Sequence, residues 1–260
     1  MESGSLRRVG HKGADLIAPG NTIESFDAAL AAGVDMIEFD VLPTPPPEWR
    51  SVSVRAAERR SWGHGTLVLA HDWGDAARRE PHTLHDGLAH LASDAFAGID
   101  LDVDLKLPGY EVEVLAALRD FGLIERTLIS SQYRTSLTLI RAAEPRVRLG
   151  WSVPKLRRDP FRSRAALLPA MAALGLARTV LPVRAAGAMR AGAVDALMAH
   201  WRLVTPRLVR SIHAAGGELY VWTVDDLERI RALARIGVTG VITNDPRLFG
   251  APAGPTAPVG

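Results

Sequence analysis

The sequence of 260 residues contains no cysteine. This absence excludes structural disulfides, thiolate metal ligands and a thiol nucleophile. It fits a reducing compartment. Long apolar runs are missing as well: no stretch of about 18 uncharged apolar residues occurs, and the first eight residues lack an apolar core of signal-peptide length. We therefore expect a cytoplasmic protein without a transmembrane segment.

A large excess of charge is also absent. The formal net charge is only +2, although the calculated pI is 9.3, so nucleic acid is not an expected partner. Lysine is scarce, because only Lys12, Lys106 and Lys155 occur among 31 basic residues. Lysine supplies a compact point charge that arginine does not reproduce, and Lys12 and Lys106 both lie in the candidate site motifs described below.

Short apolar runs alternate with amphipathic helical patterns along the whole chain. This alternation predicts an α/β fold with a parallel sheet, and eight strand–helix units would close into a TIM (β/α)8 barrel. A doubly wound open sheet is the alternative, but no glycine-rich dinucleotide-binding fingerprint follows the first strand. We predict one domain over residues 7–249, followed by a disordered tail at 251–260, which is rich in Pro, Gly and Ala.

Nine candidate strands are present, one more than a closed barrel of this type needs. One leads into His11, and the others cover 34–41, 66–70, 98–105, 127–130, 148–153, 194–199, 218–223 and 238–243. We expect the surplus strand to lie within 127–199. Helical patterns cover 22–32, 110–121, 135–143, 206–215 and 225–236, with Thr22 and Asp225 as predicted N-caps and Gly33 and Gly237 as predicted stops.

Acidic side chains alternate with apolar ones on two of the predicted strands. Glu38 and Asp40 share one face of their strand, and Asp102, Asp104 and Lys106 share one face of another. Carboxylates that face a barrel interior repel one another, and a divalent cation such as Mg²⁺ or Ca²⁺ would resolve that repulsion. A buried network of ion pairs with lysine and arginine is the alternative interpretation.

Two histidines, His11 and His71, each terminate an apolar strand. Histidine titrates near neutrality and can take or give a proton in catalysis, so this pair is a candidate acid/base pair. The other six histidines lack such a context, and we expect them to be structural or solvent-facing: His64, His82, His85, His90, His200 and His213.

An ordered set of motifs carries a family resemblance over about residues 7–249. The motifs are His11-Lys12-Gly13, Ala18-Pro19-Gly20-Asn21-Thr22-Ile23-Glu24-Ser25-Phe26, Glu38-Phe39-Asp40-Val41, His71-Asp72, Asp104-Leu105-Lys106, Ser130-Ser131, Trp222-Thr223-Val224 and Thr243-Asn244-Asp245-Pro246. Together they closely resemble the glycerophosphodiester phosphodiesterase family, one of the phospholipase C-like phosphodiesterases with a TIM-barrel fold.

The resemblance implies roles for individual residues. Glu38, Asp40 and Asp104 match the divalent-metal ligands, His11 and His71 match the acid/base pair, and Lys12 and Lys106 match positions that bind phosphate. In this family the 2-hydroxyl of the substrate glycerol is thought to attack phosphorus, and water then opens the cyclic phosphate. The implied activity is hydrolysis of glycerophosphodiesters to glycerol phosphate and an alcohol.

Four departures separate this chain from the family pattern. Lys12 replaces the usual arginine, Gly20 replaces a glutamate, and Asp104 replaces a longer glutamate. The small subdomain that commonly follows the His-Asp motif is also missing, because Leu84 lies only twelve positions after Asp72.

Two alternative functions stay open. The short connection and the Trp222-x-x-Asp225 pattern also resemble lysophospholipase D or sphingomyelinase D-like phospholipases, in which Trp222 could contact a choline-like group. The other alternative is a catalytically silent barrel that binds phosphate esters. The long loop at 43–65 contains Arg50, Arg55, Arg59 and Arg60; it is either a solvated loop or a surface that attracts anionic phosphodiesters or a phospholipid surface.

Overall fold

The computed structural model describes residues 5–44, 65–154 and 167–250. These ranges contain nine strands in one sheet. The strands are β1 (Arg7–Gly10), β2 (Met36–Pro43), β3 (Leu67–Leu69), β4 (Asp100–Leu105), β5 (Thr127–Ser131), β6 (Arg148–Val153), β7 (Ala196–His200), β8 (Glu218–Trp222) and β9 (Gly240–Thr243). All nine candidate strands are confirmed, with small shifts at their ends.

Eight of the strands close into a parallel barrel. They follow the order β1-β9-β8-β7-β6-β5-β4-β2, and β1 pairs with β2 to close the ring. The TIM-barrel prediction is therefore confirmed, and the open-sheet alternative is wrong. In such a barrel the loops at the carboxyl ends of the strands carry the functional groups.

The surplus strand is β3, and its predicted location within 127–199 is wrong. β5, β6 and β7 are all barrel strands, whereas β3 pairs antiparallel with the end of β2, from Val41↔Leu69 to Pro43↔Leu67. The physical reason lies in the length of β2. β1 pairs with β2 only at Met36 and Ile37, so the later part of that edge is left for β3 to cover.

Eight helices surround the barrel within the described ranges. They are α1 (Ile23–Ala31), α2 (Trp73–Arg78), α3 (Leu84–Leu91), α4 (Glu111–Asp120), α5 (Arg134–Ala143), α6 (Leu167–Arg190), α7 (Pro206–His213) and α8 (Leu227–Arg235). Short 3-10 turns occupy Asp94–Phe96, Ile124–Arg126, Trp201–Leu203 and Pro246–Phe249. Only the six-residue α2 lies between His71 and α3, so the missing subdomain is confirmed. No helix of the described segments is long and apolar enough to cross a membrane.

The predicted helix ends are confirmed at three positions and wrong at one. Thr22 accepts a hydrogen bond from the Ser25 main chain, and Gly33 and Gly237 follow their helices with φ of 75° and 81°, which suits glycine. Asp225 does not cap α8. Its neighbour Asp226 does, by accepting from the Arg229 main-chain N–H, because Asp225 is engaged elsewhere, as described below.

The barrel interior is layered. At the amino ends of the strands, Asp100 pairs with both Arg7 and Arg148. Above them lies a small apolar cluster consisting of Val9, Met36, Leu128, Ala196, Met198, Tyr220 and Ile242. The larger apolar cluster packs between the outer faces of the strands and the helices. Polar interior side chains therefore lie on both sides of the apolar cluster, and those at the carboxyl ends of the strands line the cavity described below.

Two segments with sequence predictions lie outside the described ranges. They are the arginine-rich loop, which includes His64, and the tail at 251–260. The described strands begin at Arg7, and the last helical turn ends at Phe249. The exact domain limits stay a prediction.

Candidate active site

Three carboxylates meet at the carboxyl end of the barrel. Glu38 and Asp40 lie on β2, Asp104 lies on the adjacent β4, and the strand register places Asp40 directly opposite Asp104. One oxygen of each side chain lies within 4.8 Å of the others. Because successive residues of a strand point to opposite faces, the Glu-x-Asp spacing places both β2 acids inside the barrel.

Two groups in the loop after β1 hold the acids of β2 in place. The Lys12 main-chain N–H donates to Glu38 Oε2 at 2.8 Å. The Asn21 side chain makes two bonds with Asp40: its Nδ2 donates to Oδ2 and its Oδ1 accepts from the main-chain N–H, each at 2.9 Å. Asn21 has a φ of 60°, in the left-handed region that asparagine tolerates better than most residues. Asn21 belongs to one of the family motifs, but its contact with Asp40 was not predicted from the sequence.

Lys106 is the positive partner of these acids. Its ammonium contacts both Asp40 and Asp104. Burial alone would lower the pKa of Lys106, but the charges of Asp104, Asp40 and Glu38 raise it well above its ordinary value. Burial alone would raise the pKa of Asp40, yet the charge of Lys106 holds it below its ordinary value. This pair is therefore charged at neutral pH.

Two further carboxyl groups of the cluster resist ionisation. Burial, followed by the charge of Asp40, raises the pKa of Glu38 above its ordinary value. Burial, followed by the charge of Asp104, raises the pKa of Asp102 to about 8. The cluster thus holds more carboxyl groups than one lysine can balance, and added positive charge would favour their ionised forms.

The carboxylates fit a divalent cation. Asp104 Oδ1 and Asp102 Oδ1 are buried and have no hydrogen-bond partner in the structure. An unpaired buried oxygen of this kind is costly unless a cation or donor reaches it. An all-oxygen donor set matches Mg²⁺ or Ca²⁺. The predicted ligands Glu38, Asp40 and Asp104 thus form one group that could hold such an ion.

His11 lies beside this group, and its ring is oriented by Asn244. Its Nε2 is 3.8 Å from Glu38 Oε2, and its Nδ1 is 2.5 Å from Asn244 Oδ1. Asp225 fixes the Asn244 amide, because Asn244 Nδ2 donates to Asp225 Oδ2 at 2.7 Å and a carboxylate only accepts. The Asn244 oxygen therefore faces His11, so Nδ1 carries the proton and Nε2 presents its lone pair to the site.

Burial of His11 also favours its neutral form. Burial, followed by the positive charge of Lys12, lowers the pKa of His11 to about 4. A neutral imidazole with a free Nε2 can accept a proton. Asp225, which we expected to cap a helix, instead binds the Thr243 hydroxyl and the Asn244 main-chain N–H.

His71 lies at the mouth of the same cavity. It follows β3, its side chain is 51% exposed, and its Nδ1 is 3.3 Å from Asp72 Oδ2. Asp72 also caps α2 by accepting from the Asp75 main-chain N–H. The two predicted acid/base residues therefore face one cavity from different depths.

Lys12 is not among the residues that line the cavity. Its ammonium pairs with Asp15 Oδ2 at 3.1 Å, and Asp15 Oδ1 accepts from the Gly20 main-chain N–H at 2.9 Å. A Cβ at position 20 would lie 2.6 Å from Asp15 Oδ1. Asp15 therefore supplies an acid where Gly20 lacks one. Asp15 was not among the predicted site residues, and its only signal in the sequence is its position three residues after Lys12.

The cavity has a volume of about 220 Å³, and its lining is mainly polar. The lining residues are His11, Glu38, His71, Asp102, Asp104, Lys106, Ser130, Gln132, Ser152, Met198, Trp222, Thr223 and Ile242. Trp222 forms part of one wall, where its Nε1 donates to the Met198 carbonyl at 2.9 Å. His200 ends β7 and contacts the Trp222 ring edge-on, with centroids 5.2 Å apart. His200 is thus a third histidine at a strand end, a position that sequence reasoning overlooked.

Comparison with known proteins agrees with this geometry. The model of the glycerophosphoryl diester phosphodiesterase family matches residues 11–44 and 100–248. The chain belongs to this family. The family resemblance seen in the sequence is confirmed, and so is the prediction that the chain is an enzyme, a phosphoric diester hydrolase of the glycerophosphoryl diester phosphodiesterase family.

Relatives of this family match over nearly the whole chain. A Mycobacterium tuberculosis protein named probable glycerophosphodiester phosphodiesterase 1 is 30% identical over 92% of this chain and 89% of its own length. A glycerophosphodiester phosphodiesterase structure from Parabacteroides distasonis matches with a TM-score of 0.66 and 17% identity, over 93% of this chain and 94% of that one. An Oleispira antarctica phosphodiesterase, solved with the product sn-glycerol-3-phosphate, matches with a TM-score of 0.62 and 19% identity, over 93% and 94%.

Proposed function

We propose that the chain hydrolyses glycerophosphodiesters to glycerol phosphate and an alcohol, with a divalent cation, Mg²⁺ or Ca²⁺, held by Glu38, Asp40 and Asp104. Family membership and the named relatives support the substrate class. The observation that carries the proposal is the shared cavity, which is lined by His11, Lys106, Glu38 and Asp104. The buried Asp40 lies in contact with Lys106 and within 4.8 Å of the other two carboxylates.

Positive charge is the first contribution of this site. When bound, the cation would act as a Lewis acid on the phosphoryl oxygens. Lys106 adds a buried ammonium at the same place and stabilises negative charge that develops during attack on phosphorus. The resemblance to the family also suggests phosphate contact by Lys12. In the structure its ammonium binds Asp15, so that contact stays a prediction.

His11 is the proposed general base. Asn244 holds the ring so that Nε2 faces the carboxylates, and this nitrogen accepts the proton of the attacking hydroxyl. In the order implied by the family resemblance, that hydroxyl is the glycerol 2-hydroxyl, and later the hydroxyl of a water molecule.

His71 is the proposed general acid. Its exposed position at the mouth of the cavity is where a departing alcohol would leave. In its protonated form the imidazolium donates a proton to the leaving alkoxide, while Asp72 stabilises the positive ring. Trp222, also in the cavity wall, is the proposed contact for the alcohol part of the substrate.

The size of the cavity favours a small deacylated substrate. Its volume of about 220 Å³ is below the about 300–1,000 Å³ of sites for drug-sized ligands. An acyl chain of a lysophospholipid would therefore extend beyond the cavity.

The prediction of a lipid surface near the arginine-rich loop concerns residues outside the described ranges and stays a prediction, as does the cytoplasmic location.

The test compares glycerophosphocholine with lysophosphatidylcholine as substrates of the purified protein. We expect release of glycerol phosphate from the first, and a fall of about 10²–10⁴-fold in kcat for His11→Ala, the usual size of a general-base contribution. His213→Ala is the control, because His213 is exposed at the end of α7 and should not matter. Turnover of lysophosphatidylcholine alone would favour the lysophospholipase D alternative. Full activity of His11→Ala would refute the proposed base.

A further inference from the structure

Helix α6 is apolar on two faces, although only one faces the protein. Its inward side chains include Leu181, Ala185 and Ala188, which are all buried. Its outward side chains include Leu168 and Leu176, which are 78% and 67% exposed. A surface helix normally presents polar residues to solvent, so the outward face of α6 needs an explanation.

The outward apolar residues from Leu168 to Val183 form a stripe on an ideal helical projection. With about 100° of rotation per residue, Leu168, Leu176, Val180 and Val183 lie within an arc of about 120°. Five of the nine exposed large apolar side chains in the described ranges belong to α6. Such clustering on one helix is typical of an interaction surface.

The charge of α6 has a single sign. Residues 167–190 contain Arg178, Arg184 and Arg190 and no acidic residue. On the helical projection, Arg184 borders the apolar stripe on one edge. Met171 extends the stripe on the other edge, and Arg178 borders it there. An apolar face with flanking cationic side chains is the pattern of helices that lie in the interface of an anionic membrane.

The first half of α6 is placed at the mouth of the barrel. Arg178 Nε donates at 2.9 Å to the carbonyl of Arg202, in the turn directly after β7. The middle of α6 is therefore level with the carboxyl ends of the strands. The eleven residues before Arg178 extend about 16 Å further along the helix axis, at 1.5 Å per residue. Leu168 and Met171 thus lie on the side of the molecule that carries the active site.

A second exposed apolar pair lies across the mouth. Leu16 and Ile17 are 60% and 40% exposed and follow β1, at the same end of the barrel. In the closed ring, three strands separate β1 from β6 in either direction, so the loop after β1 is opposite the carboxyl end of β6, the strand that precedes α6. Exposed apolar residues on opposite sides of the cavity mouth could contact the same flat surface.

We propose that α6 and the Leu16–Ile17 pair seat the active-site mouth on an anionic phospholipid surface. The proposal rests on the proposed function in one respect: the phosphodiester substrates would be derived from phospholipids and released at such a surface. A second copy of the chain fits the exposed face of α6 less well than an anionic membrane does. A symmetric contact through α6 would oppose the same helix to itself, and that helix has arginines and no acid to pair with them.

The test is sedimentation of the full chain with vesicles. We expect binding to vesicles of phosphatidylcholine with phosphatidylglycerol, and much less binding to phosphatidylcholine alone. The variant Leu168→Ser/Met171→Ser/Leu176→Ser should lower the partition coefficient by about tenfold or more, because three apolar side chains no longer enter the interface. Raising the ionic strength from about 0.01 M to about 1 M should weaken vesicle binding, because it shortens the Debye length from about 30 Å to about 3 Å. Arg184→Gln should make vesicle binding less sensitive to salt.

The matched control is Leu139→Ser against Leu168→Ser. Leu139 is 60% exposed on α5, so the same substitution there should leave vesicle binding unchanged. Turnover of dissolved glycerophosphocholine should be equal in all these variants. Absent turnover with normal vesicle binding would contradict the proposed function and not the surface. The surface proposal is overturned if the wild type does not bind anionic vesicles, if the triple variant binds equally well, or if the triple substitution converts a dimer to a monomer.

Discussion

The hydrogen bond from Asn244 to Asp225 should control the activity of His11. Asp225→Asn keeps the size of the side chain but removes its obligate acceptor character. The Asn244 amide can then rotate and present Nδ2, a donor, to His11 Nδ1. In that arrangement the proton of the neutral ring moves to Nε2, which can no longer accept one from the substrate.

The magnitude follows from the bond that is lost. A hydrogen bond to a charged group contributes about 1.5–3 kcal/mol. Asp225 is exposed to solvent, so the lower part of this range, about 1.5–2 kcal/mol, is appropriate. That difference corresponds to about a 10- to 30-fold fall in kcat, which is smaller than the loss expected for His11→Ala.

The assay is steady-state hydrolysis of glycerophosphocholine together with ¹⁵N NMR of the His11 ring. We expect a lower kcat with little change in KM, and a larger share of the tautomer protonated at Nε2. Asp226→Asn is a close control, because Asp226 caps α8 and asparagine caps helices equally well. An unchanged kcat and tautomer in Asp225→Asn, or equal losses in both variants, would refute the reasoning.

Three further predictions concern charge. Asp104→Asn should weaken binding of Mg²⁺ or Ca²⁺ by about tenfold or more, measured by calorimetry; unchanged affinity would remove Asp104 from the proposed ligands. Lys106→Met should destabilise the fold by about 3–5 kcal/mol in urea unfolding at neutral pH, because the variant leaves the Asp40 carboxylate buried without its cation. The loss should shrink toward acid pH, where the Asp40 carboxyl is protonated in the unfolded variant as well as in the folded one. Burial raises the pKa of Asp35 and the Arg8 hydrogen bonds lower it, and the pKa ends below its ordinary value. Asp35→Asn should therefore cost about 1 kcal/mol at neutral pH. This difference should begin to fall below about pH 4 and should vanish only below the lowered pKa of Asp35 in the folded protein.

The sequence was sufficient to predict the barrel because each strand carries its own pattern. Alternation of acidic and apolar residues on β2 and β4 predicted which side chains face inward, and the structure places Glu38, Asp40 and Asp104 together. The same local patterns could not show which strand lies outside the barrel. β3 and the barrel strands are all short apolar runs, and only the pairing along the edge of β2 separates them.

Contacts between distant residues were beyond the reach of local patterns. Asp225 and Asp226 are equally good capping residues in a sequence, and the choice depends on Asn244, which β9 brings beside them. The acid contributed by Asp15 depends on the fold of the loop after β1. Helix α6 was not among the helical patterns, because its two apolar faces give it no clear periodicity.

Dependence on a divalent cation is the most direct test of the central claim. Glycerol phosphate release from glycerophosphocholine should be measured after removal of metal by a chelator and again after addition of excess Mg²⁺ or Ca²⁺. We predict that chelation abolishes turnover and that addition of one of these ions restores it. Turnover that continues at the same rate after complete chelation would contradict the assignment of Glu38, Asp40 and Asp104 as the ligands of a catalytic cation.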